Sequence, residues 1–251
     1  MEFTYIESKD AHLDIAKTCI DYLVSDGLPD WDSIKNKNTD QQINFNVARL
    51  AHPFLDYATK HWAYHALKCE KDDGDLFQLL DILLDSKAPI FAAYIEITDP
   101  KTTVNKTSAL HIAARSGLAF YTKHLLESGH DANFQDRKKR TPLHLAASNG
   151  FDEVVEELVK HGAEKCKDEY AGYTPIHLAA SANRKKVVRA LLKAGVSPLE
   201  PRPHDHPGNV CKLPEPFLSL IEGLARFPDS SHTSLLSNAN SKNLKWCGNA
   251  R

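Results

Sequence analysis

Three segments of this sequence recur at a fixed interval, and that constrains the fold more than any other feature. SALHIAARSG (108–117), TPLHLAASNG (141–150) and TPIHLAASAN (174–183) begin 33 residues apart. Leu125, Leu158 and Leu191 keep the same interval, as do Gly129, Gly162 and Gly195. A period of this length marks a stacked array of small units. One unit cannot bury its own apolar face, so about three are needed to make a core.

The residue types inside each unit predict a helix pair. Thr141 and Thr174 are placed to cap a helix, accepting backbone N–H groups that lack partners in the first turn. Pro142 and Pro175 follow, where no N–H is missed. Paired alanines (113/114, 146/147 and 179/180) let neighbouring helices approach closely. Gly117 and Gly150 can end the first helix in a left-handed conformation. A second helix follows, with Val154, Val155 and Leu158 on one face, and Val187, Val188, Leu191 and Leu192 in the next unit.

The period and the TPLH-x-A signature resemble the ankyrin repeat. That resemblance implies a solenoid whose turn tips and first helices form a concave, partner-binding surface. It also implies that His111, His144 and His177 hydrogen-bond the neighbouring turn and Thr side chain rather than a metal. Four departures stand out. Ser108–Ala109 replaces Thr-Pro, which weakens the first helix start. Tyr121–Thr122 stands where the later units have paired valines. Lys139 stands where the family prefers glycine, and Asn183 where a helix-ending glycine is usual. After Gly195 no further TPLH occurs at the expected place, so the flanks are expected to cap the stack.

The first hundred residues read as helices. Leu13, Ala16, Ile20 and Leu23 share one face, with Asp10 as a candidate cap and Gly27 and Pro29 as stops. Phe54, Tyr57, Ala58, His61, Trp62 and His65 give a second helix a broad aromatic face. DLFQLLDILLDS, behind Asp72, Asp73 and Asp75, is a third helix, and PIFAAYIEI a shorter fourth. AHLDIAKTCIDYL followed by PFLDYATKHWAYHA resembles the connector between the NTPase module and the repeats in fungal NACHT–ankyrin proteins. These 251 residues contain no G-x-x-x-x-G-K-[ST], so the phosphate cradle is not carried over. The resemblance then implies a truncated or free-standing relative. Downstream, LPEPFLSLIEGLARF (213–227) is an amphipathic helix able to cover the last repeat. The Ser/Asn-rich tail beyond it reads as flexible.

The expected fold is therefore all-α. An N-terminal helical bundle (1–102) leads into a three-repeat solenoid (103–200). A Pro-rich loop, a capping helix and a tail (201–251) complete it.

Charge sharpens that division. The net charge of -2 excludes a generally polybasic nucleic-acid binder. It is a cancellation: residues 1–102 hold 10 Lys/Arg against 18 Asp/Glu, and residues 103–200 hold 15 against 11. Five cysteines form no C-x-x-C pair, which fits a reducing compartment better than a disulfide framework. No signal peptide and no membrane span are read, so the expected location is the cytoplasm, with the nucleus as an alternative.

Motifs for catalysis are scarce. There is no G-x-S-x-G, no dinucleotide fingerprint and no zinc spacing, so no catalytic residue, metal site or cofactor is assigned. His204, Asp205 and His206 read as a solvated loop. Repeat position places Arg137, Lys138 and Arg140 on one turn tip and Tyr170 and Tyr173 on the next. Arg115, Ser148 and Asn149 fall on the exposed side of first helices, and Arg184, Lys185 and Lys186 add charge nearby. Arg forks onto carboxylates, and Tyr buries a ring while keeping a polar tip. The expected function is a non-catalytic adaptor that binds an acidic protein segment. Nucleic acid is disfavoured and no membrane is involved. The alternative is a small-molecule enzyme with a pocket between the N-terminal helices and the repeats, lined by Tyr57, His61, Trp62, Tyr64 and His65.

Overall fold

The computed structural model describes residues 8–27, 52–69, 73–98, 106–163 and 173–196, and every regular element among them is helical. Two compact units result, Met1–Arg137 and Lys138–Arg251.

In the first unit, α1 (Lys9–Tyr22) ends in a π-helical turn, Leu23–Gly27. It packs on α2 (Leu55–Cys69) and on α3 (Gly74–Leu83), which is followed by α4 (Pro89–Thr98). The apolar periodicity of α1 predicts its buried face: Leu13, Ala16, Ile20 and Leu23 are all inside, with Cys19 beside them. Its cap differs from expectation. Ser8 holds the N-cap position, and Asp10 lies within the first turn, where its charge suits the helix dipole. The acidic run before α3 does cap: Asp73 accepts a hydrogen bond from the Leu76 N–H at 2.8 Å. Lys17 of α1 reaches the same carboxylate at 2.8 Å and Asp75 at 3.3 Å. That holds the Asp73 carboxyl below its ordinary range, with the Lys17 bond as the main cause. Trp62, fully buried, donates from Nε1 to the Tyr94 hydroxyl at 3.2 Å and so ties α2 to α4.

The first repeat completes this unit as α5 (Ala109–Ser116) and α6 (Ala119–Glu127). Ser108 does the work of Thr-Pro: its Oγ lies 2.8 Å from His111 Nδ1 and accepts from the His111 N–H at 3.4 Å. The Tyr121–Thr122 departure also has a reason. The buried Tyr121 hydroxyl donates to Asp81 Oδ1 of α3 at 2.7 Å, while His124 reaches Oδ2 at 3.2 Å. Phe77 of α3 packs on both rings. Burial, then the Asp81 bond, drives the Tyr121 ionisation far above its usual range. In place of another valine-faced helix pair, α6 meets a carboxylate and an aromatic ring. Thr122 has no such compensation; its Oγ1 is buried with no hydrogen-bond partner.

The second unit holds repeats two and three: α7 (Pro142–Asn149), α8 (Asp152–Lys160), α9 (Pro175–Ser181) and α10 (Lys185–Lys193). First helices α7 and α9 pack together through Ala146, Ala147, Ala179 and Ala180, whose methyls leave the axes close. Second helices α8 and α10 pack through Val154, Val155, Leu158, Val187, Val188 and Leu191, each fully inside. Burying side chains of this kind contributes about 1.5–3 kcal/mol each. Gly150 is required by its backbone, and a side chain there would also displace Arg184. Its φ is 92°, and an added Cβ would lie 2.6 Å from Arg184 Cδ. Asn183 takes the same left-handed role after α9, at φ 56°, and Lys139 takes it in the turn before α7, at φ 59°.

The expected loop at 204–206, the helix at 213–227 and the tail lie outside the described residues.

Candidate functional site

The repeat histidines organise the turns. The Thr141 backbone N–H donates to His144 Nδ1 at 3.1 Å, and Thr141 Oγ1 lies 2.8 Å from the same nitrogen. Nδ1 is therefore the acceptor and the ring proton sits on Nε2. That proton is donated to the Tyr173 carbonyl, 3.2 Å away in the next turn. His177 repeats the helix-start half of the arrangement, with the Thr174 N–H donating to its Nδ1 at 3.4 Å and Thr174 Oγ1 at 2.7 Å. One imidazole thus satisfies its own helix start and fixes the position of the following turn, on which Tyr173 is carried.

The exposed residues of that unit follow from this frame. Lys138 and Lys139 are exposed in the turn before α7, and Arg140 is half-buried. Tyr173 keeps more than a third of its surface exposed while its carbonyl is held by His144. Ser148 and Asn149, at the end of α7, both turn back on their helix, donating to the Leu145 carbonyl at 3.0 and 2.9 Å. They are thus less available to a partner than their position suggests. The Ser148 carbonyl accepts from Arg184 Nε at 3.2 Å. In the first unit, Arg115 is half-buried at the corresponding position of α5, and Arg137 is exposed at the unit's end. Tyr170 lies outside the described residues. Phe134, exposed in the turn region after the first repeat and edge-on to His111, is an aromatic the sequence reading passed over. A large apolar ring between the polar Asn133 and Gln135 was the available signal.

The aromatic residues of α2 do not form one wall. Trp62 and His65 are buried, whereas Tyr57, His61 and Tyr64 are exposed. Their partners explain the split. His65 Nδ1 lies 2.7 Å from His12 Nδ1 of α1, and its Nε2 lies 2.9 Å from the Tyr57 hydroxyl. Either His12 donates to His65 and His65 to Tyr57, or both bonds reverse; each arrangement satisfies every group. Both nitrogens of His65 are thus engaged, although His61 stands at metal-capable spacing four residues away. Burial first, then the neighbouring His12 and His61, lowers the His65 pKa. Burial also pushes the Tyr57 hydroxyl up, and the Cys19 thiol up to about 11, which leaves that thiol protonated and unreactive. Chemically this is a hydrogen-bonded clasp between α1 and α2. Among the described residues, no group of three or more His, Cys, Asp or Glu is placed to hold a metal ion.

The helix pairs, their capping histidines and their left-handed closing residues match a known family. The model for ankyrin repeats in three copies matches residues 66–167 and again residues 110–201. The chain belongs to the ankyrin repeat family. The first match begins within α2, so it takes in α3 and α4 as well as the first two ankyrin units read from the sequence, and the second match takes in the third unit. No curated protein matches the chain. Ankyrin repeats are protein–protein interaction modules, and no helix among the described residues is long and apolar enough to cross a membrane.

Proposed function

We propose that this ankyrin protein is a non-catalytic adaptor that takes an acidic protein segment on the turn and first-helix face of its repeats, the concave face of the family. The carrying observation is Tyr173. It is an exposed aromatic whose backbone is pinned by His144, so binding would not have to order it. Lys138, Lys139 and Arg140 supply positive charge in the other turn of that unit, and Arg is suited to carboxylates. Arg115, Arg137 and Tyr170 are further candidates by repeat position. The acidic N-terminal helices are read as a connector like that of NACHT–ankyrin proteins.

A quantitative pull-down tests this. The full chain is compared with a Lys138→Glu/Arg140→Glu variant and with Tyr173→Ala. The expected result is loss of the same bound proteins from both variants. An unchanged set of bound proteins would remove this face from consideration.

A further inference from the structure

The second helices of repeats two and three are alike inside and, over their first two turns, opposite outside. At equivalent positions 33 residues apart, Asp152 faces Lys185, Glu153 faces Lys186, and Glu156 faces Arg189 in the alignment. Lys185, Lys186, Arg189 and Lys193 are all exposed, and α10 contains no acidic residue. Lys186 is drawn to Asp152 at 3.9 Å, and Arg184 to the Ser148 carbonyl. Lys185, Arg189 and Lys193 have no ion-pair partner among the described residues.

This arrangement works against the helix. Lys185 in the first turn opposes the helix dipole, where α8 has Asp152, and like charges four residues apart at 185, 189 and 193 repel one another, although Lys193 in the last turn suits the dipole. Lys186 gains an ion pair with Asp152, whereas Lys185 and Arg189 break these local rules with no ion pair among the described residues to offset them, and such positions point to function.

The three unpaired cations stand four residues apart. They form one row along the helix with steps of about 6 Å. Carboxylates on alternate residues of an extended chain are spaced about 7 Å apart, close enough to meet each cation in turn. We propose that the outer row of α10, Lys185, Arg189 and Lys193, docks a short, extended acidic protein segment. A long polyanion suits it less, because acidic α8 runs beside it. The row also offers no aromatic ring on which a base could stack. The proposal rests on the reading of the chain as a protein-binding module, but it assigns a different face from the turns.

The test uses the full chain and a fluorescein-labelled peptide of alternating Glu and Ser, read by fluorescence anisotropy. Its Gln-Ser counterpart and a short single-stranded RNA are run in parallel. The Glu-Ser peptide is expected to bind more tightly than Gln-Ser, with affinity falling as salt is raised. Lys185→Glu/Arg189→Glu/Lys193→Glu should weaken it by about tenfold or more, because like charges then face each other. The neutral Gln triple variant should fall between, and the α10 reversal should weaken peptide binding just as much in a Lys138→Glu/Arg140→Glu background, where the turn charges no longer contribute. Thermal melts confirm that each variant is folded. In the Lys138→Glu/Arg140→Glu background, binding that survives the α10 reversal, equal binding of Gln-Ser, no binding at all, or tighter binding of the RNA overturns the proposal. With the turn charges already reversed, these outcomes report on α10 alone, and the pull-down scores the turn face separately.

Discussion

The N-terminal helices and the repeats are both helical and both well filled, yet they are held by different kinds of contact. The repeats reuse one local solution. A hydroxyl and an imidazole three residues apart start each first helix, and a left-handed residue ends it. The N-terminal helices depend on single contacts between distant residues: Trp62 with Tyr94, His65 with His12, Lys17 with Asp73. Periodic contacts should therefore fail in small, comparable steps, whereas a one-off contact should fail in a large one.

The comparison breaks hardest at Trp62. Trp62→Ala should cost about 3–5 kcal/mol in urea unfolding, from the cavity left in the core and the loss of the Tyr94 bond. In the repeats, Gly150→Ala should cost about 1–2 kcal/mol from the left-handed backbone alone. Gly162 has φ 83° and nothing within 4 Å of an added Cβ. The excess of Gly150→Ala over Gly162→Ala therefore measures the displaced Arg184, and equal costs would mean that Arg184 moves aside without loss. Thr122→Val should run the other way, stabilising by about 1 kcal/mol, because it replaces a buried hydroxyl without a partner by a methyl group. It also restores the valine that the other repeats carry there.

The mildest perturbation is acid. Burial depresses the His65 pKa below its usual 6.5, so the fold prefers the neutral ring. Above that value both folded and unfolded states are neutral, and the contribution is complete. As pH falls through it toward the folded value, the unfolded state gains a proton first and stability declines. Urea midpoints between pH 8 and pH 5 should show this decline, and His65→Asn should show less of it. An identical slope in both proteins would assign the effect to other groups.

The same difference decides what the sequence could reveal. Helix starts, paired alanines and left-handed positions are local rules, so they were legible at 108–117, 141–150 and 174–183. Lys139 and Asn183 were legible as departures, and both adopt the conformation that glycine would have. The reason for Tyr121 was not legible, because its partner Asp81 lies 40 residues away on another helix. Nor was the division of the α2 aromatics. Periodicity places Phe54, Tyr57, His61 and His65 on one broad face but cannot say how much of it a neighbouring helix covers. For the binding surface, the charges of the turns could be read directly. The turning-back of Ser148 and Asn149 onto Leu145 could not, since it depends on side-chain direction.

The shared carboxylate of Asp81 bears on how this molecule can be divided. A fragment beginning at residue 103 would contain all three sequence-defined repeats and look complete by motif. It would also strand the Tyr121 hydroxyl against an absent acceptor and strip Phe77 from two rings. The smallest piece that keeps the first repeat intact has to start before α3, so dissection by motif and dissection by hydrogen bond give different proteins.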